Sequence, residues 1–241
     1  VNHREHQWLM VEDFAAVCID PATGSIVRGK TPWYIWPDVH PTHLHIPSVC
    51  LIVLDLLASG QLIFDVDRLR AAPAAPSLPS SLLSAYCQVL SRHDGPVNSQ
   101  LKAACWFKHG KLAAAERPLL YERANPWFLV LHDLASAGRL EYLARNGPSL
   151  RSPRVRFADR GRQEALLEDL RLSVNDGSFA DELRTAALLV AMSAAHLELL
   201  LRVPDFHRHV LPKVLEASLL PAGVHHVFAF MRRASERMST S

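Results

Sequence analysis

Between Leu183 and Leu201 six apolar residues, Leu183, Ala187, Val190, Ala194, Leu197 and Leu201, recur at alternating steps of four and three. That spacing places them on one face of an α-helix. Their neighbours Ala186, Leu188, Leu189 and Ala191 are apolar too. A helix apolar on most of its sides has to be covered by other elements, so it belongs in the middle of a bundle. The pattern predicts one helix over residues 181–202, opened by Ser178 and Asp181 as a capping box and barred from continuing by Pro204.

The rest of the chain supplies elements to cover it. Short helices are expected at 9–17, 81–92, 97–107, 126–136, 162–174, 206–218 and 222–237. A second helix apolar nearly all round is expected at 48–59, with Ser48 as N-cap and Gly60 just past its end. Residues 25–47 hold four prolines and no helical period, which predicts loop. Residues 62–66 read as a strand and 71–79 as a proline-rich linker. Residues 140–143 and 155–157 read as strands of a hairpin through Asn146-Gly147-Pro148. The expected fold is mainly α: residues 1–241 as a single-domain helical bundle with a central buried helix and a small β-hairpin. With 49% hydrophobic and 21% charged residues, disorder is excluded as the main state.

A weak internal echo is present. Leu57-Ala58-Ser59-Gly60-Gln61-Leu62 recurs with one insertion as Leu134-Ala135-Ser136-Ala137-Gly138-Arg139-Leu140. It reads either as a duplicated helix–strand unit or as the usual glycine stop used twice.

Chemistry-bearing motifs are few. Walker, GxSxG, HExxH and dinucleotide signatures are lacking, so the chain is not expected to be an enzyme. Asp65 and Asp67 lie on one expected strand face, without a recognisable catalytic partner. His40, His43 and His45 fall within six residues, near Asp38, but the prolines of the stretch favour an ordinary loop. His207, His209, His225 and His226 read as solvated. No metal or cofactor is expected. Cys18, Cys50, Cys87 and Cys105 form no CxxC pair and sit in apolar surroundings, as free thiols of a reducing compartment would. The polar start Val1-Asn2-His3-Arg4-Glu5-His6 does not read as a signal peptide. The apolar run at residues 49–54 is far short of the roughly 20 residues of a membrane span.

Two features suit a membrane surface. The Pro-flanked loop Trp33-Tyr34-Ile35-Trp36 carries rings that either cover the bundle or insert among headgroups. Residues 139–162 contain seven arginines, Arg151, Arg154 and Arg156 among them, against Glu141 and Asp159. Clustered guanidinium groups either grip phosphate or merely keep a hairpin edge solvated. The candidate lipid-binding residues are therefore Trp33, Trp36, Arg151, Arg154 and Arg156. A winged-helix-like nucleic-acid binder is the alternative, because a basic hairpin after a helix is how a wing lies along phosphate. The net charge of +2 and the apolar helix before the hairpin weigh against it. A protein-only scaffold is the third reading.

The order of these pieces resembles the Golgi phosphoprotein 3 family. Leu9, Glu12, Asp13, Asp20 and Gly24 match its first helix and turn. Leu57, Gly60 and Leu62 match the end of its buried helix. Leu134, Gly138 and Leu140 match its approach to a β-hairpin. Arg184 and residues 187–194 match its Ala- and Leu-rich central helix. The resemblance spans roughly Leu9 to Met231, as for a bacterial or divergent member. It implies a cytoplasmic protein, peripheral at a membrane surface, that binds anionic lipid, in the family phosphatidylinositol 4-phosphate. Its implied partners extend to cytoplasmic tails of membrane proteins and to oligomers through the hairpin. The family's lipid pocket uses a loop Trp, for which Trp36 or Trp33 would stand. It also uses a loop Arg and two helix Arg, whose positions fall near Val49, Ala124 and Trp127. None of those three is basic.

Overall fold

The apolar run around residue 50 builds the hub of the molecule. The computed structural model describes residues 8–26, 41–73, 81–105, 126–143, 154–180, 182–216, 220–221 and 223–239. Its elements in chain order are α1 (Met10–Val17), α2 (Pro41–Ala58), β1 (Leu62–Asp65), β2 (Arg68–Ala71), α3 (Ser81–Arg92), α4 (Val97–Cys105) and α5 (Pro126–Ser136). There follow β3 (Leu140–Tyr142), β4 (Val155–Phe157), α6 (Arg162–Asp176), α7 (Leu183–Ala194), α8 (Phe206–His209), α9 (Leu211–Glu216) and α10 (Val224–Ser239). The fold is mainly α, as expected, and among the described residues no helix is long and apolar enough to cross a membrane.

Helix α2 packs against α1, α3, α4, α5, α7 and α10. Residues 49–54 have no exposed surface at all. This helix begins seven residues before the expected start at 48. Pro41 occupies its first position, where the missing N–H has no helical partner anyway. Pro47 lies inside it, so Ser48 is no N-cap. A mid-helix proline costs about 3 kcal/mol. Each fully buried aliphatic side chain returns about 1.5–3 kcal/mol, so the core around residues 49–54 carries the helix through the proline.

Helix α7 shares the centre: Ala187, Leu189, Ala191 and Met192 are fully buried and Val190 is 1% exposed. It packs on α2 as the periodicity predicts. The helix is shorter than the pattern, however. It stops at Ala194, and His196 turns the chain with φ 58°. A 3₁₀ turn, Glu198–Leu201, then returns Leu197 and Leu201 to the core. The apolar spacing tracked burial, which two different backbones satisfy here. Ser178 likewise opens a 3₁₀ turn (Ser178–Ala180) with its N–H on Asp176 Oδ1 at 2.9 Å, and the N-cap of α7 is Glu182. The expected helix at 206–218 divides into α8 and α9.

The echo is structural. In α2 Gln61 N–H reaches Leu56 O at 2.9 Å and Gly60 N–H reaches Leu57 O at 3.1 Å; in α5 Arg139 N–H reaches Leu134 O at 2.9 Å and Gly138 N–H reaches Ala135 O at 3.0 Å. Gly60 (φ 68°) and Gly138 (φ 71°) occupy the same left-handed position. Both ends are Schellman motifs, and each leads into an antiparallel hairpin, β1–β2 or β3–β4. Strand β2 was absent from the expectations. Its sequence Arg68-Leu69-Arg70-Ala71 is too short for alternation to stand out, and its edge is completed from a distance: Gln100 on α4 accepts Leu69 N–H (2.7 Å) and donates to Leu69 O (2.8 Å). Asp67 lies in the turn rather than on the strand face with Asp65, and the two pair with Arg68 and Arg70.

Candidate functional site

The β3–β4 hairpin presents the basic candidates. Its register pairs Leu140 with Phe157, Glu141 with Arg156 and Tyr142 with Val155. Period-2 alternation therefore sends Leu140 and Val155 inward, where both are buried, and Glu141 and Arg156 to solvent. The hairpin is held to the body through Gly24. The Asp20 carboxylate accepts Ala22 N–H (2.8 Å) and Asp20 O accepts Gly24 N–H (2.8 Å), closing a turn in which Gly24 has φ 67°. Gly24 O then accepts Val155 N–H at 2.8 Å. A β-carbon at Gly24 would lie 2.5 Å from Val155 O. The spacing of Asp20 and Gly24 is thus the geometry that docks β4.

On the outer face Arg156 pairs with Glu141 at 3.0 Å. Both are about half exposed, so the pair adds little stability. Arg154 and Arg160 are exposed and make no ion pair among the described residues. Tyr142, 49% exposed, lies across from Val155. The arginine cluster of the sequence is therefore divided by the fold. Arg154, Arg156 and Arg160 face solvent, while Arg139 and Arg162 turn inward. Trp33, Trp36 and Arg151 lie outside the described residues.

The inward arginines form a cluster that motif spacing did not reveal. Their guanidinium carbons each lie 4.8 Å from the centroid of the Trp8 ring. Arg139 also pairs with Glu12 at 3.2 Å. Asp13 is fully buried on α1, and both its oxygens are held: Oδ1 by Arg162 of α6, Oδ2 by Arg184 of α7. Arg184 donates a further bond to Trp8 O at 2.6 Å. The available signal was a pair of acids in a helix otherwise apolar, Leu9-Met10-Val11-Glu12-Asp13-Phe14. Three ion pairs explain why both acids stand there: Asp13 ties α1 to α6 and α7, and Glu12 holds Arg139 just before β3.

Asp55 on α2 is the other buried acid, 6% exposed. Its carboxylate accepts the N–H groups of Met10 (2.8 Å) and Val11 (3.1 Å) at the start of α1. Burial pushes its pKa up to about 7, against the pull of those two N–H groups and of Arg184.

Asp38, His40 and the His43 side chain lie outside the described residues; His45, His207 and His226 make contacts within the fold. His45 lies in α2 with Nε2 2.7 Å from Cys105 O, and burial lowers its pKa. His207 pairs with Glu198 at 2.9 Å and His226 stacks on Phe64 at 5.2 Å. No group of three or more metal-ligating side chains occurs among the described residues. Cys18, Cys50, Cys87 and Cys105 are free thiols. The positions to which the family's headgroup arginines carry over, Val49 and Trp127, are both fully buried, and Ala124 lies outside the described residues. No protein-family model and no curated protein matches this chain.

Proposed function

We propose that this chain is a divergent relative of the Golgi phosphoprotein 3 family and acts as a peripheral membrane adaptor, a binding module for anionic phospholipid surfaces. The observation that carries the reading is the solvent face of the β3–β4 hairpin. Arg154 and Arg156 are exposed there, Arg160 is exposed just after β4, and Tyr142, across from the inward Val155, is half exposed. Basic groups near an anionic membrane add roughly 1 kcal/mol each, and an interfacial aromatic adds the apolar part that one weak signal lacks. The family order of elements also supports it: a first helix with its Asp20–Gly24 turn, a buried helix stopped at Gly60, and a helix stopped at Gly138 before the hairpin.

Headgroup selectivity is not part of the proposal. Val49 and Trp127 are inside the core, where no side chain meets a phosphate. Attachment is general for anionic lipid and sensitive to salt.

Sedimentation with phosphatidylcholine vesicles, with and without phosphatidylserine, tests this beside a DNA mobility-shift assay. The expected result is co-sedimentation only with the anionic vesicles, weakening as salt rises. A DNA shift without co-sedimentation would favour the nucleic-acid reading. Neither signal would favour a protein-only scaffold.

A further inference from the structure

Helices α6 and α7 are tied together by Asp13, and a cleft of about 380 Å³ lies between them. Along α6 it is lined mainly by Arg162, Leu166, Asp169, Leu170, Ser173 and Asp176, with the exposed Leu172 beside them. These follow helical spacing, so one face of α6 forms one wall. The opposite wall is Arg184, Thr185 and Leu188 of α7, with Glu182 just before it. From Arg162 to Asp176 the helix rises about 21 Å.

The two ends differ in charge. At one end two guanidinium groups meet the single carboxylate of Asp13, leaving an excess positive charge. Each also keeps a donor without a partner among the described residues. Arg162 uses Nε and Nη2 on Asp13, which leaves Nη1; Arg184 uses Nη1 on Trp8 O and Nη2 on Asp13, which leaves Nε. Along α6, away from that end, stand two carboxylates. Asp169 is exposed and has no partner among the described residues. Asp176 is kept ionised by the Ser178 N–H, which lowers its pKa. Glu182, two residues before Arg184, accepts the Thr185 hydroxyl at 2.8 Å. Leu166, Leu170 and Leu188 make an apolar floor between these poles.

We propose that this cleft binds an extended zwitterion of peptide type, with a carboxylate on Arg162 and Arg184, an aliphatic stem on the leucines, and basic groups on Asp169 and Asp176. The same chemistry is presented by a free basic oligopeptide and by the C-terminal end of a protein chain. Guanidinium–carboxylate bonds are charge-assisted and bidentate where geometry allows, which makes the terminal carboxylate the group most strongly read. The proposal is independent of membrane binding, and its test contains no lipid.

The probe is the tetrapeptide Lys-Lys-Leu-Leu with a free carboxylate, titrated calorimetrically into the full chain. Its C-terminal amide, Gln-Gln-Leu-Leu and spermidine are titrated alongside. Amidation is expected to weaken binding at least about tenfold, the loss of one hydrogen bond to a charged group. Exchange of the lysines is expected to do the same, and spermidine to bind more weakly than the tetrapeptide. Asp169→Asn, at an exposed position that leaves the fold intact, is expected to weaken the tetrapeptide about fivefold while leaving Gln-Gln-Leu-Leu unchanged. The same four residues at the C-terminus of a carrier protein distinguish the sources: retained affinity assigns a protein end, and affinity confined to the free peptide assigns an oligopeptide. No heat with the tetrapeptide at about millimolar concentration overturns the proposal. So does an amide or spermidine that binds as tightly as the acid, or an Asp169→Asn variant with undiminished affinity.

Discussion

Asp55 accepts the Met10 N–H at 2.8 Å and so closes the start of α1 from a position 45 residues further along the chain. Leu9, at the N-cap, has no side-chain acceptor of its own. Glu12 bonds back to Leu9 N–H at 2.8 Å, and Asp55 takes the next two N–H groups. The helix end is therefore complete only when α1 and α2 are packed together.

That geometry makes stability depend on pH. The folded pKa of Asp55, about 7, lies above its ordinary value of 3.8. The folded protein thus binds this proton more tightly than the unfolded chain does. The contribution is fully present below about pH 4 and is lost as pH rises through 7. From pH 5 to 8 the loss is about 3 kcal/mol. Glu12 pushes in the same direction and Arg184 opposes it. Urea midpoints measured across that range should fall for the parent and stay nearly level for Asp55→Asn. A parent curve already level would show that Asp55 stays ionised throughout.

Removing the charge of Asp13 should be costly. Asp13→Asn leaves Arg162 and Arg184 facing each other without a counter-ion and frees α6 from α7. Truncating one partner of a buried ion pair costs about 3–5 kcal/mol. The lower end applies, since the two arginines are 27% and 35% exposed and regain some hydration. Thermal unfolding would read this as a lower midpoint, and an unchanged midpoint would remove Asp13 as the tie between the helices.

At the centre, Val190→Asp should abolish cooperative unfolding. The side chain is 1% exposed, and an unpaired buried charge costs several kcal/mol against a total stability of about 5–15 kcal/mol. A folded, cooperative variant by circular dichroism would contradict the packing of α7 on α2.

The helix ends give a matched set. At Gly138 a β-carbon meets nothing within 4 Å, so Gly138→Ala should cost only the left-handed backbone term, about 1–2 kcal/mol. Gly24→Ala should cost more, because the contact with Val155 O adds a clash. His196 is the non-glycine counterpart, with its N–H on Ser193 O and Leu197 N–H on Met192 O. His196→Gly should raise stability by about 0.5–1 kcal/mol, less than the full relief because glycine gains freedom in the unfolded chain. Chemical denaturation of the three variants checks the order.

For membrane attachment, Trp33→Ala with Trp36→Ala should lower vesicle affinity at every salt concentration, since an apolar wedge is not screened. Replacing Arg151, Arg154 and Arg156 by alanine should lower it mainly at low salt. Folded variants that sediment like the parent would leave the protein-only scaffold as the better reading.

Sequence periodicity alone determined which residues are buried. The spacing around Val190 and the unbroken apolar run at 49–54 each allow one consequence, a helix surrounded by others, because no solvent-facing side remains. The glycines at 60 and 138 likewise mark helix ends by a local backbone preference that needs no tertiary contact. What only the tertiary structure decided is where the charges go. Arg139, Arg154, Arg156 and Arg162 belong to one basic stretch, yet two face water and two clasp Trp8, because Asp13 and Glu12 sit under one end of the hairpin and not the other. The passage of α2 through Pro47 and the completion of β2 by Gln100 have the same cause. Each is a local cost or an unpaired group met by a partner far along the chain, and the free energy that settles it exists only once the core has assembled.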